Sequence, residues 1–126
     1  MISVLLVTAD HGMVNCPPTS RVQVEEDPEL MAGVRLIAGE PRVRQVYADH
    51  PEEVAARWRA RLGDGATVVT RAELIERGLV GEVEPEIADR YGDVIAIAGG
   101  NLSLASSVDA QTSALLGQHG ALTDAE

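Results

Sequence analysis

The chain has no phenylalanine, and aromatic residues make up only 2% of its 126 positions. The core is therefore expected to be built from Val, Leu, Ile and Ala. Cys16 is the only cysteine, which excludes an internal disulfide and a cysteine zinc cage. A lone thiol fits a reducing compartment. No apolar run reaches the roughly 20 residues that a helical bilayer span needs, and no basic-then-apolar leader opens the chain. A cytoplasmic location is the expectation from these features. Positive charge is scarce as well: 10 basic against 20 acidic residues give a formal net charge of -10, which argues against a basic nucleic-acid-binding surface. An anionic substrate could be held only through cations placed between it and the protein. A Walker loop, a dinucleotide glycine fingerprint and a nucleophile elbow are all missing, and AGGN at 98–101 is too lone a glycine pair to cradle a phosphate. There is no internal repeat, coiled-coil heptad or low-complexity tract.

What is present suits one α/β domain or a piece of a larger one. An apolar share of 45% supplies a core, and the 24% of charged residues is ordinary for a soluble protein. Ser3 to Val7 is a continuous apolar run, consistent with a fully buried strand. Residues 15–29 carry three prolines and the acidic cluster Glu25-Glu26-Asp27, and read as a solvated loop with one short extended piece. Val34 to Ala38 and Val43 to Ala48 flank GEPR and predict a β-hairpin. Arg42 and Arg44 alternate on a strand face, where salt bridging is a better fit than phosphate contact.

The following segment is the best-punctuated helix. Pro51 opens it, Glu52 and Glu53 suit its positive end, and Arg57, Arg59 and Arg61 suit its negative end. Val54, Trp58 and Leu62 form an apolar stripe, and Gly63 is a natural stop. Ala66 to Val69 reads as a strand, Thr70 to Glu73 as a capping box opening a second helix that ends near Gly78. A helical turn can follow Pro85. Val94 to Ala98 is a second buried strand, followed by a long loop from Gly99 to Gly120. The fold class this predicts is α/β, with a small β-hairpin–helix–strand lobe, residues 30–80, beside a main sheet. The chain opens inside a core strand and closes at Leu122 to Glu126 on what reads as a helix start, so a segment of a larger domain is expected.

Three histidines are candidates for chemistry: His11, His50 and His119. Asp10 and His11 follow directly on an apolar run, the place where open α/β sheets collect their sites. Adjacent Asp and His offer an oxygen and a nitrogen to a divalent ion, with zinc the natural choice. Gly12 leaves the backbone free to turn there. Read alone, however, Asp-His-Gly suits a turn somewhat better than a metal site. His119 in GQHG is by itself more at home as a loop histidine, and His50, before Pro51, as a capping or solvated one. Cys16 has no obvious activating base, which argues against a catalytic thiol.

Taken whole, VTADHGMV resembles the metal-binding motif of the alkaline phosphatase superfamily, most closely its type I phosphodiesterase/nucleotide pyrophosphatase branch. GQHGALTDAE is similar to that branch's second metal motif, and GVRLIAGEPRVRQVY and RYGDVIAIAGGN look like its connecting region. Cofactor-independent phosphoglycerate mutases carry a similar T-A-D-H-G, but usually with Asn next, where this chain has Met13; phosphopentomutase-like enzymes are further off. The resemblance covers essentially the whole chain and implies the C-terminal segment of an alkaline-phosphatase-like catalytic domain. It implies two divalent metal ions, zinc by family habit, with Asp10 and His11 at one and His119 at the other. It further implies hydrolysis of phosphodiester or nucleotide pyrophosphate bonds in the intact protein. The family's nucleophilic Thr or Ser and its Asp-x-x-x-His pair have no counterpart here, and Thr8 lies inside the strand motif. The chain alone should thus be inactive and depend on the remainder of the catalytic domain. The alternative is a non-catalytic α/β module acting in protein association, including with its own copy.

Overall fold

The computed structural model describes residues 1–124. Its centre is a four-stranded antiparallel sheet in the order β3-β4-β6-β5, formed by β3 (Val34–Glu40), β4 (Val43–Ala48), β5 (Ala66–Thr70) and β6 (Val94–Ala98). β3 and β4 are the predicted hairpin, turning at Pro41-Arg42. Gly39 precedes that turn at φ +85°, and a Cβ there would lie 2.4 Å from the Val43 carbonyl oxygen, so only glycine fits. β6 pairs with β4 on one side and β5 on the other. The strand after the predicted lobe is therefore a central member of the lobe's own sheet.

The helix α2 (Pro51–Leu62) covers one face of the sheet, with Val54, Ala55 and Trp58 buried and Gly63 ending it at φ +53°. Trp58 is fully buried and its indole N–H donates to the Leu30 carbonyl at 2.8 Å. That bond fastens α2 to α1 (Pro28–Met31), whose N-terminal amides are capped by Asp27. Truncating a buried Trp costs about 3–5 kcal/mol, so this contact is central to the layer. Ile37, Val46, Val68, Val94 and Ala96 point into the same cluster. On the opposite face Val69, Ile95 and Ile97 pack with Leu74 from α3 (Arg71–Glu76), and with Ala121. Covering on both faces explains why β6 is a continuous apolar run with every residue buried, whereas β4 alternates. The capping box of α3 is present: the Glu73 amide donates to the Thr70 hydroxyl, and the Thr70 amide to the Glu73 carboxylate. Its carboxyl lies below the ordinary glutamate value, chiefly because of that Thr70 amide and then of Arg59 and Arg77, against a smaller opposing effect of burial. The helical turn after Pro85 forms as α4 (Pro85–Ala88).

Four sequence expectations give way. Ser3 to Val7 is no buried strand: Val4, Leu5, Leu6 and Val7 are 83–90% exposed, and no described residue pairs with them. Apolar sequence becomes a strand only where another strand offers its backbone groups. The stretch 99–120 is not a plain loop but contains β7 (Ser103–Ala105), α5 (Ala110–Ser113) and β8 (Gly117–Gln118). β7 pairs in parallel with β2 (Arg21–Gln23), and β8 antiparallel with β1 (Val14–Asn15). The acidic cluster is not simply solvated, because Glu25 accepts from the Ser106 hydroxyl and from the Ser107 amide and hydroxyl, and Asp27 from Arg61 at 2.6 Å. Burial pushes the Glu25 carboxyl up, but these donors outweigh it and leave the group below its usual value. Asp27 is shifted downward in the same way: burial opposes, and the Leu30 amide, Arg61 and the Glu29 amide prevail. Leu122, Thr123 and Asp124 form bends and a turn rather than a helix start, and Ala125 and Glu126, the rest of that prediction, lie outside the described residues.

Arg42 and Arg44 are both fully buried. Arg42, in the turn, donates to the carbonyls of Gly99 and Leu102. Arg44 pairs with Asp109 at 2.8 Å, as the expectation of salt bridging requires, and also donates to the carbonyls of Leu104 and Gly39. Their burial leaves no surface for phosphate. No described helix is long and apolar enough to cross a membrane.

Candidate metal centre

Asp10, His11 and Gly12 lie in irregular backbone immediately before β1, and His119 immediately after β8. The β1–β8 pair, with Val14 opposite Gln118 and Asn15 opposite Gly117, joins two segments nearly a chain length apart. The Cys16 amide extends it, donating to the Leu116 carbonyl at 2.7 Å. The two glycines of GQHG have separate local reasons. A Cβ on Gly117 would lie 3.2 Å from the terminal methyl of Met13, so the glycine leaves that side chain room between the two segments. Gly120 sits at φ +108°, a region that side chains avoid.

The result is that the His11 and His119 rings stack with centroids 4.0 Å apart and planes 21° from parallel. The His11 Nδ1 lies 2.7 Å from the Gly12 carbonyl oxygen. A carbonyl only accepts, so Nδ1 is the donor here, and in the neutral imidazole Nε2 is then the nitrogen that can accept or ligate. This is how a backbone carbonyl orients a metal-binding imidazole. Asp10 Oδ2 is 3.8 Å from that Nε2, and its Oδ1 accepts from the His11 amide at 3.2 Å. One carboxylate oxygen and one imidazole nitrogen thus stand side by side near the surface, with the Asp10 side chain 90% exposed.

The donor types suit a divalent ion such as zinc, but they do not make a closed site. Among the described residues no group of three or more His, Cys, Asp or Glu converges on one point. The stacking adds a restriction. A bound metal lies in the plane of each imidazole that holds it, about 2.0–2.1 Å from the nitrogen. Two near-parallel rings cannot direct lone pairs at one ion, so in this arrangement His11 and His119 could serve only separate ions. His50 is exposed at the start of α2 without capping it through its side chain. Cys16 is buried, its sulfur donating to the Leu102 carbonyl. An apolar cleft lies elsewhere, on the α3 face of the sheet between Val43, Leu74, Tyr91, Ile95 and Leu122.

Sequence reasoning on residue types alone missed the partners that hold this arrangement, chiefly Gln118, Thr112 and Met13. Their signal is tertiary: two-residue strands carry no readable periodicity.

No protein-family model matches the sequence, and no curated protein matches it. Solved structures do. Human ectonucleotide pyrophosphatase/phosphodiesterase 5 is matched with a TM-score of 0.63 at 19% identity, over 89% of this chain and 28% of the human one. The murine protein of the same name gives 0.63 at 21% identity, over 90% of this chain and 28% of the murine one. A further murine structure, of an inactive variant in complex with AMP, gives the same score over 89% of this chain. The chain thus spans less than a third of the length of these structures. It has the mixed α/β fold of a segment of the ectonucleotide pyrophosphatase/phosphodiesterases.

Proposed function

We propose that this chain is the part of a phosphodiesterase/nucleotide pyrophosphatase-type catalytic domain that carries Asp10 and His11 to one divalent metal ion and His119 to a second, zinc being the natural occupant of both. The observation that carries this reading is the β1–β8 pair, which brings ADHG and GQHG, remote in sequence, to a 4.0 Å ring contact. When bound, such a pair of ions offsets charge on a phosphoryl group and favours the ionised form of the attacking hydroxyl. The contribution of this chain is narrower. Gly12 fixes the His11 tautomer, Asp10 adds an anionic oxygen, and the offset rings keep the two nitrogen donors on different ions. The substrate is a small phosphoester, in keeping with AMP in the murine structure. The nucleophile and the remaining ligands belong to the remainder of the domain, so the 1–126 stretch is one half of a divided site.

A zinc titration followed by the imidazole NMR signals of the isolated chain tests this. Weak binding that moves His11 and His119, and that loses its His11 component in Asp10→Ala, is the expected result. An unresponsive pair of histidines would overturn the metal reading. Turnover of bis(p-nitrophenyl) phosphate by the chain alone, abolished in His119→Ala, would overturn the divided site. The second reading, a non-catalytic module for protein association, draws on the exposed run Ile2 to Val7. It gains if zinc has no effect while size-exclusion chromatography shows self-association.

A further inference from the structure

Gln118 is 2% exposed and immediately precedes His119. Its side-chain nitrogen donates to the Thr112 carbonyl at 2.8 Å and to the Leu115 carbonyl at 2.9 Å. Thr112 belongs to the last turn of α5 and its carbonyl also accepts from the Leu115 amide at 3.1 Å; Leu115 lies just past the end of the helix. One buried carboxamide therefore ties the histidine-bearing segment to α5 and to the turn that follows it. α5 is itself indexed to the central sheet. Ser113 Oγ donates to Asp109 Oδ1 at 2.8 Å and accepts from the Ser106 amide at 3.1 Å. Arg44 of β4 donates to the same Asp109 oxygen at 2.8 Å and reaches Ser113 Oγ at 3.2 Å. Buried or half-buried hydrogen bonds thus run from Arg44 of β4 through Asp109 to Ser113 of α5, and from the Thr112 and Leu115 carbonyls to Gln118, the residue before His119.

We infer that Gln118 is a positioning residue for His119: by clamping the end of α5 it sets where the adjacent imidazole projects, and so holds it against His11. The geometry favours this over mere satisfaction of two carbonyls. Gln118 closes β8 and is locked inward, while His119, the next residue, is only partly buried and stacks on His11. Arg44, Asp109 and Ser113 act one step further back, holding the platform on which Gln118 bears. This inference rests on the metal reading for its functional meaning, but its geometry is independent of any metal.

The test is NMR on the chain as it stands, without metal and then with zinc. In the wild type the Gln118 carboxamide protons are expected to exchange slowly, and the His11 and His119 ring protons to show a mutual nuclear Overhauser effect. Gln118→Met keeps the volume but has no donor. It is expected to lose that effect and the ring-current shifts of both imidazoles while the β6 amide signals stay in place, and to weaken zinc binding at His119 about tenfold, as loss of an orienting partner does. Gln118→Glu, of equal length but with no N–H, is expected to behave alike. Unchanged imidazole signals in both variants would overturn the inference. So would solvent-rate exchange of the wild-type carboxamide, or collapse of the sheet signals in both variants, which would make Gln118 a determinant of the whole fold. Failure of zinc to move His119 in the wild type counts against the metal reading alone, because the ring contact is scored without metal.

Discussion

SVLLV at residues 3–7 and VIAIA in β6 are nearly interchangeable as strings, yet they end in opposite states. Every β6 residue is 8% exposed or less, while Val4 to Val7 are at least 83% exposed. Hydrophobicity does not separate them, and neither does β propensity. What differs is supply: β6 has β4 and β5 on its two edges, α2 below and α3 above, whereas none of these reaches residues 3–7. A strand is a relation between segments, and an apolar run is only one party to it.

The largest expected effect that would test this contrast is Ala96→Asp, which places an unpaired carboxylate in the fully buried α2-facing side of β6. It should cost more than about 4 kcal/mol and leave the chain unfolded, as read by urea denaturation. A folded variant would mean that β6 is less sealed than its neighbours imply.

Acidification comes next, and it acts on the ties around the sheet rather than on its core. Glu25, Asp27 and Glu73 all have folded-state values below their ordinary 4.5, 3.8 and 4.5. Groups of this sign contribute stability that is fully present above the unfolded value and is lost as pH falls through the folded one. The melting temperature should therefore be steady down to about pH 5 and decline below it, with Glu73→Gln shrinking the decline. A rise in melting temperature on acidification would contradict the assigned directions.

The smallest effect should come from Leu5→Asp, the mirror of the first substitution. With the side chain 87% exposed, the change in unfolding free energy of this chain should stay within roughly 0.5 kcal/mol. A cost comparable to that of Ala96→Asp would erase the contrast, because residues 3–7 would then have a partner after all.

Legibility in the sequence follows the same line. The hairpin, α2 and the capping box were readable because their signals are local: Gly and Pro at a turn, an apolar stripe at four-residue spacing before the stop at Gly63, and Thr70 three residues before Glu73. β6 was readable as a strand, though not as the centre of its sheet, since pairing order is not written in any one segment. Glu25 was misread because its donors, Ser106 and Ser107, lie about eighty residues away in sequence. The candidate site was divided in the same manner. Asp10, His11 and His119 could be picked out only through the resemblance of two short motifs, because residue chemistry alone left a turn in front. Of the residues that hold that region together, Gln118 carried no signal of its own beyond GQHG, and Arg44 was legible only as a salt-bridging strand residue.

The β1–β8 pair also bears on the order of events in folding. It is only two residues long per strand and joins segments near opposite ends of the chain, so it combines a high closure entropy with few contacts. Such an element forms after the central sheet and is among the first to open in the native state. In hydrogen exchange the amides around Val14 and Gln118 should therefore trade protons well before those of β6, and the meeting of the two histidines becomes a late, reversible event of the fold.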